Sequence, residues 1–199
     1  MMCKIFISGS MRIKRLDPNV KDRIDNIIKS DFSILLGDAD GVDASIQELL
    51  NSKGYTNVTV FCSGDKARNN IGRWEVNKIH TDYQKNTRLF FTAKDIQMAK
   101  KCNYGFMVWD SKSTGTLSNV YELLSQGKKS LVFINKLKTF KKIGRVADFE
   151  DLVSVMSTSA FEKADKKIQL NKKIQELKQL NMFEANNGMN TDRAIASGI

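Results

Sequence analysis

Short apolar runs at residues 3–7, 32–36, 58–62, 104–109 and 129–134 alternate with segments whose apolar residues recur at helical spacing. Repeating every roughly 25–30 residues, this alternation restricts the chain to an α/β architecture, a parallel sheet doubly wound by helices on its two faces. Val20, Ile24, Ile27 and Ile28 mark one helix, entered through Asp17 and Pro18 as N-cap and first turn. Val42, Ile46, Leu49 and Leu50 mark a second, residues 92–101 with Ile96 and Ala99 inward a third, and Leu117, Val120, Tyr121 and Leu124 a fourth. In such sheets ligands gather outside the carboxyl ends of the strands, so the turns that follow the strands are where function is sought.

Three of those turns are polar and rich in small residues. The first run breaks into Ser8, Gly9, Ser10, Met11 and Arg12, a candidate phosphate loop with a cation attached. The second breaks into Gly37, Asp38, Ala39, Asp40, Gly41, Val42 and Asp43. Its acids can bind ribose hydroxyls, polarise a water, or cap the next helix through Asp40 or Asp43; capping by one acid and a ligand role for another is the preferred division. The 104–109 run ends in Asp110, Ser111, Lys112, Ser113, Thr114, Gly115 and Thr116, which open directly into a helix carrying Asn119 and Glu122. A helix N-terminus presents unpaired N–H groups and the positive end of the dipole, and Gly115 lets an anion approach the backbone closely. The same residues also suit ordinary N-capping, and both uses stay open. Three such turns at one sheet edge are economically explained by a nucleotide-like ligand.

Residues 63–91 show weak periodicity and read as a long functional loop or as structure the pattern hides. Within it Arg73 and Arg88 are candidate anion contacts, and Trp74 and Tyr83 candidate stacking surfaces. Residues 135–145 read as a hairpin or an exposed edge, and 148–156 as a short helix. A long helical pattern follows over 159–183, with a narrow stripe of Phe161, Ala164, Ile168, Leu170, Ile174 and Leu177. That stripe is expected to pack against a second copy of the chain, with Arg73 or Arg88 completing a neighbour's site, or else to fold back on its own sheet. The expected division is an α/β domain over 1–145, a helical extension over 146–185 and a mobile tail or partner-dependent arm over 186–199.

Composition narrows the classes. The 199 residues are 41% hydrophobic and 27% charged, as in soluble globular proteins, and no apolar run approaches the roughly 20 residues of a spanning helix. A cytoplasmic protein without a targeting segment or membrane partner is expected. One histidine, His80, argues against a histidine metal site or a Ser-His-Asp triad, and no cofactor is expected. Cys3, Cys62 and Cys102 read as reduced thiols. The net charge of +10, concentrated in lysines of the second half, admits a nucleic-acid partner on charge alone.

The turn residues also carry a resemblance. Ser8, Gly9, Ser10 and Arg12, the segment Gly37 to Asp43, and the segment Trp109 to Thr116 with Asn119 resemble the SLOG superfamily. This is the Rossmann-like group that includes the Lonely Guy phosphoribohydrolases and the DNA-processing protein A fold. Asp95, Met98 and Ala99 resemble its small bacterial and phage members, and the likeness covers about residues 3–135. It implies a Rossmann-like α/β fold that binds a nucleotide or nucleotide-derived ligand as a sensor or sequestering protein in phage–bacteria defence. On that reading Gly9, Ser10, Ser113, Gly115 and Thr116 hold phosphate, and Asp38, Asp40 or Asn119 hold ribose. Some members cleave an N-glycosidic bond with the glutamate of Gly-Gly-x-Gly-Thr-x-x-Glu. Here Asn119 stands at that place and the double glycine is absent, so a hydrolase would need Glu122 or Asp38 as its carboxylate.

Overall fold

The computed structural model describes residues 2–180. Seven strands form one sheet in the order β4-β3-β2-β1-β5-β6-β7: β1 Lys4–Gly9, β2 Ser33–Gly37, β3 Val58–Ser63, β4 Glu75–Ile79, β5 Tyr104–Trp109, β6 Ser130–Ile134 and β7 Thr139–Ile143. All neighbours are parallel except β6 and β7. This is the α/β, Rossmann-like doubly wound arrangement expected from the alternation. Strand side chains alternate between the two faces. Phe6, Met107 and Trp109 join one buried cluster, while Ile5, Ile7, Phe106 and Val108 join the other.

Helices α1 Pro18–Lys29 and α2 Val42–Ser52 cover the second cluster through Val20, Ile24, Ile27, Val42, Ile46 and Leu50. Helices α3 Arg88–Lys101, α4 Thr114–Ser125, α5 Val146–Val153 and α6 Thr158–Ile168 cover the first. Asp17 caps α1 as expected, accepting the Asn19 backbone N–H at 3.0 Å with Pro18 in the first turn. Neither Asp40 nor Asp43 caps α2: its N-cap is Gly41, with no side-chain cap bond.

Two segments differ from expectation. The stretch 63–91 contains the edge strand β4, which sequence reading missed because Glu75, Asn77 and Lys78 give it a polar, half-exposed face. It also contains the start of α3, four residues earlier than expected, where the Thr87 side chain accepts the Phe90 N–H. The long helix expected over 159–183 breaks at Gln169, which adopts a left-handed φ of 53°, and helix resumes over 170–180. Asp165 makes the joint, accepting the Gln169 N–H on its carbonyl and the Asn171 N–H on its carboxylate. The break has a packing consequence. On an unbroken helix positions 168 and 170 would point about 200° apart, yet Ile168, Leu170, Ile174 and Leu177 all enter the chain's own core. Each contributes about 2 kcal/mol by leaving water. The burial that motivated a second subunit is thus supplied internally, against α4 and α5, and the extension belongs to the same core as the sheet. Among the described residues no helix is long and apolar enough to cross a membrane. The expected tail, 186–199, lies outside the described residues.

Candidate functional site

Strand order reverses between β1 and β5, since β2, β3 and β4 extend to one side and β6 and β7 to the other. The turns after β1, β2 and β5 meet at this switch point. A Cβ on Gly9 would strike the Val108 carbonyl and the Val42 side chain, and one on Gly41, whose φ is +76°, would strike the Met11 backbone. Glycine at these two positions lets the three turns touch. Buried Ser10 ties them further: its hydroxyl donates to Asp110 at 2.8 Å, and its carbonyl accepts the Val42 N–H at 3.2 Å.

The turn into α4 is held from below. The Asp110 carboxylate accepts the Lys112 and Ser113 N–H groups at 3.0 and 2.6 Å, and the Trp109 indole donates to the Ser113 carbonyl at 3.1 Å. Ser113 is the N-cap, yet its side chain takes no cap bond from the helix, so the first-turn N–H groups from Thr114 onward have no side-chain cap. They open onto a cavity of about 850 Å³, within the range of small-molecule sites.

Of the residues singled out in the sequence, Gly9, Ser10, Arg12, Arg88, Ser113, Thr114, Gly115, Thr116 and Asn119 line this cavity together. Asn119 is buried and donates to the Ser8 hydroxyl at 3.1 Å, joining α4 to the β1 turn. The others stand elsewhere. Asp110 braces the loop from beneath, Gly37 and Gly41 shape the second turn, and exposed Asp40 accepts from Asn69 at 3.0 Å. Arg73 is exposed beside Trp74, whose indole donates to the Tyr55 carbonyl at 2.9 Å and packs on the α2 face, far from any stacking role at the cavity. Glu122 lines a smaller neighbouring recess of about 270 Å³ and accepts from Gln126 at 2.7 Å. Asp38 is taken up by Arg68 in a two-pronged pair at 2.8 and 3.1 Å. Burial alone pushes that carboxyl up, but the Arg68 hydrogen bonds and the Lys94 charge outweigh it and hold it below the usual carboxylate range. Neither carboxylate named for glycosidic chemistry therefore lines the main cavity.

Sequence reading missed four contributors. Asp43, expected as a cap, lies in the cavity wall at 3% exposure, and its Oδ1 has no hydrogen-bond partner. Its carboxyl is raised to about 7 by burial, which outweighs the lowering effect of Lys94 and is reinforced by Asp95 and Asp38. Lys94, on α3, is buried beside it and bonded to Asp95 at 2.7 Å. Burial disfavours its charge, but three surrounding acids outweigh that and keep it protonated. Lys163 and Lys167 reach the cavity from α6, one helical turn apart, with Ala160 and Ala164 beneath them. That spacing was visible in the sequence, but nothing local says which surface the helix faces.

The walls carry seven cationic side chains against two carboxylates. Among the described residues Arg12, Arg88, Lys112, Lys163 and Lys167 have no acidic partner. Arg88 donates to the Ser118 hydroxyl at 3.2 Å, while its Nη1 is buried without a partner. Comparison with known protein families, with curated proteins and with solved structures finds no match to this chain.

Proposed function

We propose that this chain binds a nucleotide or nucleotide-derived anion at the β1/β5 switch point, as a SLOG-like sensor or sequestering protein. One observation carries the reading: a helix N-terminus without a side-chain cap opens into a nucleotide-sized cavity in whose walls Arg12, Arg88, Lys112, Lys163 and Lys167 have no acidic partner among the described residues. Phosphate belongs at Thr114, Gly115 and Thr116, with Arg12 and Lys112 beside it. Lys163 and Lys167 close over the opposite side. Binding is favoured over glycosidic hydrolysis because Asp38 is paired with Arg68 and Glu122 faces the neighbouring recess.

Thermal denaturation against adenosine 5′-monophosphate, ADP-ribose, cyclic nucleotides and pyrophosphate tests the proposal. A ligand at about 100 times its Kd is expected to add about 2.7 kcal/mol to stability. Arg88→Ala is expected to weaken the effect at least about tenfold, the worth of a hydrogen bond to a charged group. A folded protein that responds to none of these at millimolar concentration removes the reading.

A further inference from the structure

Asp43 is the one acid in the cavity wall with a buried oxygen that has no hydrogen-bond partner among the described residues. Its polar neighbours are engaged: Asp38 by Arg68, Lys94 by Asp95, Asn119 by Ser8, and Ser10 by Asp110. Gln47, buried one turn along α2, donates to the Gly37 carbonyl and accepts the Ile71 N–H. Against that background the Asp43 carboxyl, 3% exposed, keeps an oxygen with no partner. Leaving a buried polar atom unsatisfied is costly, and native structures retain such atoms mainly where they serve a purpose.

We propose that Asp43 is the specificity residue of the cavity, accepting a hydrogen bond from a neutral donor, a hydroxyl or an amino group, on a ligand whose anionic end sits at the N-terminus of α4. This rests on the anion-binding reading above and narrows it. A second phosphate at Asp43 is disfavoured, because Asp43 is itself an acid and the nearby cations Lys94 and Arg68 are already taken up by Asp95 and Asp38. The ligand class is therefore a phosphate ester with an uncharged, donor-bearing end, as in a nucleoside monophosphate, rather than a polyphosphate filling the whole cavity. The groups that face Asp43 are Lys94 and Asp95 from α3, Asp38 at the end of β2, and Arg68 from the β3–β4 connection. A bound donor favours the ionised carboxylate, so binding draws a proton off Asp43 and tightens as pH rises through neutrality.

The test is calorimetric titration of adenosine 5′-monophosphate into the full chain and into Asp43→Asn, at pH 6 and pH 8, with the pH 7 titration repeated in buffers of different ionisation enthalpy. The phosphate's own titration near pH 6 is common to both proteins and cancels in their ratio. The wild-type advantage over D43N is expected to grow about tenfold from pH 6 to pH 8, and the wild type is expected to release a proton on binding. Two analogues separate the donors. The 2′,3′-dideoxy nucleotide lacks the sugar hydroxyls and purine riboside monophosphate lacks the amino group; whichever loses the donor binds the wild type about tenfold more weakly, and D43N no more weakly than the parent. Proton release and the analogue series on the wild type need no variant, so a misfolded D43N does not void the test. A pH-independent ratio, or two analogues that bind the wild type as well as the parent, overturns the role of Asp43 alone. Failure of the wild type to bind any of the three nucleotides overturns the ligand class named for Asp43, and the anion-binding reading falls with it only if ADP-ribose, cyclic nucleotides and pyrophosphate fail as well.

Discussion

Asp38 and Asp43 leave the same turn, five residues apart, and end in opposite states. At the outer corner Asp38 is gripped by the Arg68 guanidinium and its backbone N–H, its pKa falls, and it turns away from the cavity. At the inner corner Asp43 keeps a free oxygen, its pKa rises to about 7, and it lines the cavity. Both are 3% exposed, yet Asp43 lies deeper among protein atoms and burial weighs more heavily on it. Hydrogen bonding widens the gap: Asp38 takes three bonds from Arg68, whereas Asp43 is left with one oxygen that has none. A buried acid with its donors in place stays ionised and ties its turn together, whereas one short of donors is pushed toward its neutral form.

The largest test of this contrast is Arg68→Ala, which strands a buried carboxylate and is expected to cost about 3 kcal/mol of stability at neutral pH by denaturant unfolding. Because the folded Asp38 pKa is depressed, that contribution is present above its ordinary value of 3.8. It disappears as pH falls through the folded value, so the variant should approach wild type in acid. A deficit that persists at low pH would assign Arg68 a packing role instead, through its place 4.6 Å over the Phe91 ring.

The second expected effect has the opposite sign. The folded Asp43 pKa is raised, so the contribution of this one group is fully present below about 4 and is lost as pH rises through about 7. Asp43→Asn stays neutral and should gain on the wild type across that window, reaching about 2 kcal/mol at pH 8, less than the full shift implies because Lys94 loses a counter-charge. A flat difference between pH 4 and pH 8 would show that Asp43 does not titrate there.

Gly37→Ala acts on both corners at once. The added methyl would run into Asp43 Oδ2 and lie 2.8 Å from the Lys94 amine. About 1–2 kcal/mol of destabilisation is expected, as for other overpacked sites, together with loss of the pH signature of Asp43. The smallest effect on stability, within about 0.5 kcal/mol, belongs to exposed Lys163→Ala and Lys167→Ala. Each should nevertheless weaken anion binding and flatten its salt dependence, because they add charge to the cavity and little to the core. Salt titrations of ligand affinity would show the difference.

Much of this was legible in the linear chain. The runs at 3–7, 32–36, 58–62, 104–109 and 129–134 are strands in the structure to within two residues at either end, and their helices pack on the expected faces. Nine of the candidate site residues share one cavity because they lie in the turns at one sheet edge or, as Arg88 and Asn119 do, on the helices α3 and α4 beside them. Strand β4 was not legible, since an edge strand needs few apolar residues and Glu75, Asn77 and Lys78 hide it. The stripe on residues 159–177 was legible as apolar but not as broken. The joint at Gln169 comes from Asp165 capping the next helix, and it matters only because Ile168 and Leu170 must reach one core.

What the sequence determined by itself is what acts over a few residues: the strand and helix type of the strongly patterned segments, the cap at Asp17, and the small polar turns that meet at one sheet edge. The tertiary structure decided which acid of the second turn faces inward and which cations surround it. Asp38 meets an arginine 30 residues away, Asp43 lies beside a lysine from another helix, and Lys163 and Lys167 arrive from beyond the sheet altogether. Those meetings depend on how helices seat on a common core, and the hydrophobic burial that seats them carries no local record of which polar groups it will bring face to face.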